Sequence, residues 1–135
     1  MRLVAEPRAK RFEHEVSMLR DGRFATDSET VEVPESWTPE HSVLAGLLDC
    51  SLTSLRYHAL RYGIAVEAQG SASGVVTKRE SDGRYGFVSI EVRFDIALDP
   101  KPGDEEVAAL LLKAERDCFV GASLTPAPSY VWNVA

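Results

Sequence analysis

A chain of 135 residues, 44% hydrophobic and 27% charged, has the size and composition of one globular domain. That length can bury a core without disulfide or metal staples. The formal net charge of −6 excludes the basic face by which proteins grip nucleic-acid phosphates. There is no apolar run of about 18 residues to span a bilayer, and the start, MRLVAEPRAKRFEHEV, lacks the apolar centre of a signal peptide. These features predict one domain over residues 1–135, cytoplasmic, with no nucleic-acid or membrane partner. In that compartment Cys50 and Cys118 are expected to be reduced thiols, either reactive or packed as small hydrophobes.

Residues 10–19, KRFEHEVSML, alternate Phe12, His14, Val16 and Met18 with Arg11, Glu13, Glu15 and Ser17, the period of a half-buried strand. RDGR at 20–23 carries the Asp-Gly hairpin signal, and short strands are expected at 23–26 and 30–33. Thr38-Pro39-Glu40 opens a helix, with Thr38 as cap, and the helix reaches about Tyr62 before Gly63 ends it. One stripe holds Leu44, Leu48, Leu52, Leu55 and Ala59, and the next holds Val43, Leu47, Cys50 and Ser54. An apolar arc that wide predicts burial on more than one side, as a second subunit would provide. His41 and His58 are expected on the helix surface.

Ile64, Val66 and Ala68 begin a strand, SDGRYG turns the chain, and YGFVSIEVRFDIAL alternates through Val88, Ile90, Val92, Phe94 and Ile96. This is a long hairpin with one wet face. A second helix starts at Gly103-Asp104, with Asp104 as its cap, and repeats Val107, Leu110, Leu111, Ala114 and Cys118 at helical spacing. SYVWNV closes as a strand. The order strands, long helix, hairpin, helix, strand predicts an α+β domain.

Scattered His14, His41 and His58 and distant cysteines give no zinc spacing. No glycine-rich phosphate loop and no nucleophile elbow occur. No metal or cofactor is therefore expected. The chemistry left to the chain is that of its thiols. A reactive thiolate needs a cation to lower its pKa, best an arginine fork held by a carboxylate, and a second thiol to resolve a sulfenic acid.

TPEHSVLAGLLDC resembles the motif of the OsmC/Ohr family, the osmotically inducible and organic-hydroperoxide-resistance proteins, with a Cys ten residues after the Glu of a Pro-Glu helix start. Glu40 and Cys50 fall on those positions. KAERDC is similar to the family's second cysteine motif and places Cys118 on it. RDGR resembles the turn that carries the catalytic arginine of the Ohr branch, whose first arginine falls on Arg20, with Arg23 as rival. The resemblance covers nearly the whole chain. It implies an OsmC-like α+β fold, antiparallel sheets around a long central helix, in an intertwined homodimer.

The resemblance further implies a thiol peroxidase for organic hydroperoxides. Cys50 would attack the peroxide and become a sulfenic acid. Cys118 would close a disulfide, and an external thiol, in the Ohr branch a lipoyl dithiol, would reduce it. Arg20 would stabilise the thiolate and Glu40 would orient Arg20. Ten helical residues rise about 15 Å, so Glu40 and Cys50 share a site only through a bridging Arg, a bent helix start or a second subunit; a site at the dimer interface is favoured. Phe119 stands where the Ohr branch usually has Pro. Asp49 and Asp117 each precede a cysteine, and a carboxylate close to a thiol raises its pKa. Trp37, Phe24 and Phe119 are candidates to line an apolar pocket. The alternative is a non-catalytic dimer on the same scaffold, holding a small apolar ligand between subunits.

Overall fold

The computed structural model describes residues 9–135, so part of the N-terminal stretch MRLVAEPRAKRFEHEV, and with it the expectation that it is no signal peptide, lies outside them. The chain forms two compact units, one ending at Trp37 and one running Thr38–Ala135. The first unit holds a three-stranded antiparallel sheet in the order β1-β2-β3, with β1 Ser17–Met18, β2 Phe24–Ala25 and β3 Thr30–Val31. The ladders pair Met18 with Phe24 and Phe24 with Val31. The Asp-Gly turn forms as expected. Gly22 takes φ 90°, which favours glycine, and the Asp21 carboxylate accepts from the Arg23 N–H at 3.0 Å and from its Nε at 2.8 Å.

The strand expected over residues 10–19 is cut to Ser17–Met18, and residues 9–16 lie outside any ladder. Alternation specifies a strand only where a neighbour completes the hydrogen bonds and one face is covered. Here Phe12, Val16 and Met18 are all exposed.

In the second unit, α1 (Pro39–Leu60) begins with Thr38 as cap and Pro39 in the first turn, as expected. The cap is reciprocal: Thr38 Oγ1 accepts the His41 N–H at 3.4 Å, and His41 Nδ1 accepts the Thr38 N–H at 2.9 Å. His41 thus fills the place usually held by Glu or Gln in a capping box. At the other end Gly63, at φ 69°, donates to Leu60 O, and Ile64 donates to Ala59 O, both at 3.0 Å. That pair of bonds is the glycine stop of a Schellman turn.

β4 (Ala65–Lys78) and β5 (Tyr85–Asp99) form the long antiparallel hairpin, from Ala65↔Asp99 to Lys78↔Tyr85. A bulge opposite Val75/Val76 leaves Val88 as the extra residue. The alternation of β5 is realised: Ile90, Val92, Phe94, Ile96 and Leu98 are buried while Ser89, Arg93 and Asp95 are exposed. α2 (Asp104–Arg116) buries Val107, Leu110 and Ala114. Its cap is Gly103, not Asp104, which is the first helical residue beside Glu105 and Glu106 at the positive helix end.

After α2 comes a five-residue helix, α3 (Phe119–Ser123), capped by Cys118, and then β6 (Ser129–Val134). β6 joins β5 in parallel, from Glu91↔Ser129 to Ile96↔Val134, so this sheet is mixed where antiparallel pairing was expected. Parallel pairing needs a long crossover, and α2 with α3 supplies one. The buried faces of β5, α1 and α2 meet in one core that includes Cys118.

Two glycines in β4 lie under aromatic rings of β5. A Cβ added at Gly70 would meet Arg93 O and Phe94 Cδ1 at 2.6 Å; one at Gly74 would meet Phe87 Cε1 at 2.6 Å. Gly70→Ala is expected to cost about 1–3 kcal/mol of stability through overpacking, read from the midpoint of urea denaturation. An unchanged midpoint would show that Phe94 and the β5 backbone give way freely.

Candidate functional site

The buried stripe of α1 is Leu47, Ser51, Ser54, Leu55, His58 and Ala59. Three of these six are polar, and each finds a partner in the last turn of α2 or on the chain that follows it. Ser54 Oγ donates to Ala114 O at 2.8 Å. His58 Nε2 lies 2.7 Å from Asp117 Oδ2, which corrects its expected place on the helix surface. Ser51 Oγ lies 2.9 Å from the Tyr130 hydroxyl and 3.5 Å from Cys118 Sγ.

These bonds lay the α2–α3 junction against α1 and bring the thiols to one place. The Val120 N–H points at Cys50 Sγ from 3.5 Å, and the Gly121 N–H points at Cys118 Sγ from 3.4 Å. Both cysteines are free; Cys50 is half-buried and Cys118 is wholly buried. A Cβ at Gly121 would sit in ordinary van der Waals contact, 3.4 Å from Cys118 Sγ and 3.5 Å from the Tyr130 oxygen. Phe119, in the position the Ohr branch usually gives to Pro, opens α3 and is exposed.

Burial pushes the Cys50 thiol above its ordinary pKa of 9.0; the Val120 N–H pulls it down, and neighbouring Cys118 pushes it up again. Burial wins because the Val120 and Phe119 backbone N–H groups do not replace the water lost around a thiolate. Tyr130 is pushed up to about 12, first by burial, with the Ser51 hydrogen bond opposing. Its hydroxyl therefore keeps its proton at neutral pH.

Asp117 directly precedes Cys118, but adjacent helical residues point about 100° apart. The Asp117 carboxylate bonds the Arg116 Nε at 3.0 Å and His58 at 2.7 Å. The Arg116 guanidinium, and after it His58, hold that carboxyl below its usual range.

Cys50 and Cys118 are thus the two expected site residues that the fold brings together. Glu40 is an exposed residue of the first turn of α1, about 15 Å of helical rise from Cys50. Arg20 and Arg23 belong to the N-terminal unit, where Arg23 is paired with Asp21 at 2.8 Å. Ser51 and Tyr130 did not emerge from the sequence as site residues. The sequence around Ser51, LLDCSLTSL, holds Asp49, Thr53 and Ser54 as well, so nothing local set this serine apart. Among the described residues no cluster of His, Cys, Asp or Glu is arranged for a metal ion, and no helix is long and apolar enough to cross a membrane.

Removing Cys118 removes two influences that raise the Cys50 pKa. In Cys118→Ala the pH midpoint of thiolate absorbance at 240 nm for Cys50 should move down relative to the wild type. An unchanged or higher midpoint would mean that burial alone governs Cys50.

Residues 32–133 match the family described as OsmC-like protein. Among solved structures, the chain is similar to an OsmC-like protein of unknown function from Vibrio cholerae, at 18% identity over 82% of each chain with a TM-score of 0.71. It is similar to an OsmC-like protein from Mycoplasma pneumoniae, at 16% identity over 93% of this chain and 96% of that one, TM-score 0.67. It also resembles the organic hydroperoxide resistance protein OhrB of Bacillus subtilis, at 18% identity over 90% and 95% of the two chains, TM-score 0.55. No curated protein matches. At such identities the structures bear on the fold alone; the family match, which spans most of the chain, shows that this protein belongs to the OsmC-like family.

Proposed function

We propose that this protein is a thiol-dependent peroxidase that reduces organic hydroperoxides. The observation that carries this reading is the pairing of two free thiols, distant in sequence, at the α1–α3 contact, the first half-buried and the second wholly buried. That asymmetry suits a peroxidatic Cys50 and a resolving Cys118 sheltered until it is needed. Cys50 sulfur attacks the peroxide O–O bond, an alcohol leaves, and Cys50 becomes a sulfenic acid. Cys118 sulfur then displaces the hydroxyl, its proton departs with it as water, and a disulfide forms. An external thiol, such as a lipoyl dithiol, restores both cysteines.

Arg20 is the cation of this reading, since Arg23 is held by Asp21, and Glu40 orients it. The working unit is a homodimer. Apolar side chains left exposed on α1, Val43, Tyr57 and Leu60, support a second copy against that helix. Exposed Phe119 and Val43 favour a hydrophobic peroxide over hydrogen peroxide. The second reading, a non-catalytic dimer that binds an apolar ligand, draws on the raised pKa of Cys50.

Cumene hydroperoxide and hydrogen peroxide, each equimolar with reduced protein, decide between them. The peroxidase reading expects a Cys50–Cys118 disulfide by mass spectrometry, formed faster with cumene hydroperoxide. Cys50→Ser abolishes the reaction, and Arg20→Ala slows it at least about tenfold, equivalent to ~1.4 kcal/mol of barrier, while Arg23→Ala does not. Thiols that stay reduced sink the peroxidase and leave the binding reading. Light scattering tests the assembly separately: twice the chain mass of 14.8 kDa is expected, and a monomer at micromolar concentration would refute the dimer.

A further inference from the structure

Ser51 is a polar residue in the least accessible part of α1, 1% exposed, and the core gives it no packing reason to be there. Its hydroxyl bridges two groups: the Tyr130 oxygen at 2.9 Å and Cys118 Sγ at 3.5 Å. Tyr130 is held in turn by parallel stacking on Trp132, with centroids 5.6 Å apart and planes 4° apart. Trp132 stacks on Phe94 at 5.0 Å and donates its indole N–H to Glu115 at 3.0 Å. A tyrosine fixed in this way offers its hydroxyl at one place, and that place is Ser51.

We propose that Ser51 and Tyr130 form a hydroxyl relay that orients the Cys118 sulfur and stabilises the thiolate left when its proton departs, before that sulfur closes the disulfide with Cys50. This rests on the reading of Cys118 as the resolving thiol. With Cys118 protonated, its S–H donates to Ser51 Oγ. As the proton leaves, the chain reverses: Tyr130 O–H donates to Ser51 Oγ, and Ser51 O–H donates to the sulfur. The Gly121 N–H adds a second donor at 3.4 Å. A wholly buried thiolate without such donors would bear the full desolvation penalty. Because Tyr130 keeps its proton at neutral pH, it always has one to donate. Ser51 and Tyr130 are positioning residues; neither touches the peroxide.

The relay can be tested without peroxide. Ellman's reagent, a disulfide of thionitrobenzoate, caps Cys50 and releases one thionitrobenzoate. Cys118 sulfur then attacks the capped Cys50, expels the second thionitrobenzoate and forms the protein disulfide, its own proton passing to solvent. Absorbance at 412 nm resolves both phases. The ratio of second-phase to first-phase rate should fall at least tenfold in Ser51→Ala and in Tyr130→Phe, and Ser51→Thr, which keeps the hydroxyl, should recover most of it. Tyr130→Phe removes one oxygen and keeps the stacked ring, so it guards against a variant that merely misfolds. A ratio unchanged in both variants, or no second phase in the wild type, overturns the relay. Failure of cumene hydroperoxide to oxidise Cys50 would overturn the peroxidase instead, and the second phase would still decide the relay.

Discussion

The second unit depends on one constraint: α1 buries three polar side chains, and each must be satisfied where water cannot reach. A buried polar group left without a partner costs about 1–3 kcal/mol, a large share of the stability of a small domain. Ser51, Ser54 and His58 escape that cost through Cys118 with Tyr130, through Ala114 O and through Asp117. Among the described residues no buried side-chain nitrogen or oxygen lacks a partner. All three sets of bonds converge on residues 114–118 and the strand that follows. A purely apolar stripe would tolerate small slides of α2 over α1. Three directional bonds do not, and the place of Cys118 beside Cys50 follows from them.

β6 completes the arrangement from the sheet side. Its alternate residues Tyr130 and Trp132 face the core, and the Trp132 ring covers Phe94, its register partner on β5. The indole N–H reaches Glu115 on α2. One strand thus links the sheet, α2 and, through Ser51, α1. Parallel entry of β6 is what allows this: the crossover through α2 and α3 brings the chain back so that Tyr130 arrives opposite Val92, under the thiols.

What the sequence disclosed was periodic or local. The alternation from Val88 to Ile96 identified the buried face of β5, and Thr38-Pro39 and Gly63 marked both ends of α1, because caps and periods are set by near neighbours. The same alternation misled at residues 10–16, since period two describes a strand but does not supply its neighbour. His58 looked like a surface residue because its partner, Asp117, is distant in sequence, at the cap that ends α2. The direction of β6 was equally hidden, being decided by the path of the crossover. Cys50 and Cys118 stood out as the only cysteines, whereas Ser51 and Tyr130 are common residue types whose meaning arises from where the fold sets them.

The thiols show how far the second unit goes by itself. It holds two sulfurs together, presents one and hides the other, and aims a backbone N–H at each. It does not make Cys50 acidic. Burial raises the thiol above its ordinary range and so disfavours the thiolate. Within Thr38–Ala135 the influences on it are burial, the Val120 and Phe119 N–H groups and Cys118, none of them a cation. An opposite charge within about 4–6 Å favours the charged form of a group. The second unit therefore fixes where the two sulfurs sit, while burial, the same packing that holds them, keeps the Cys50 thiol weakly acidic.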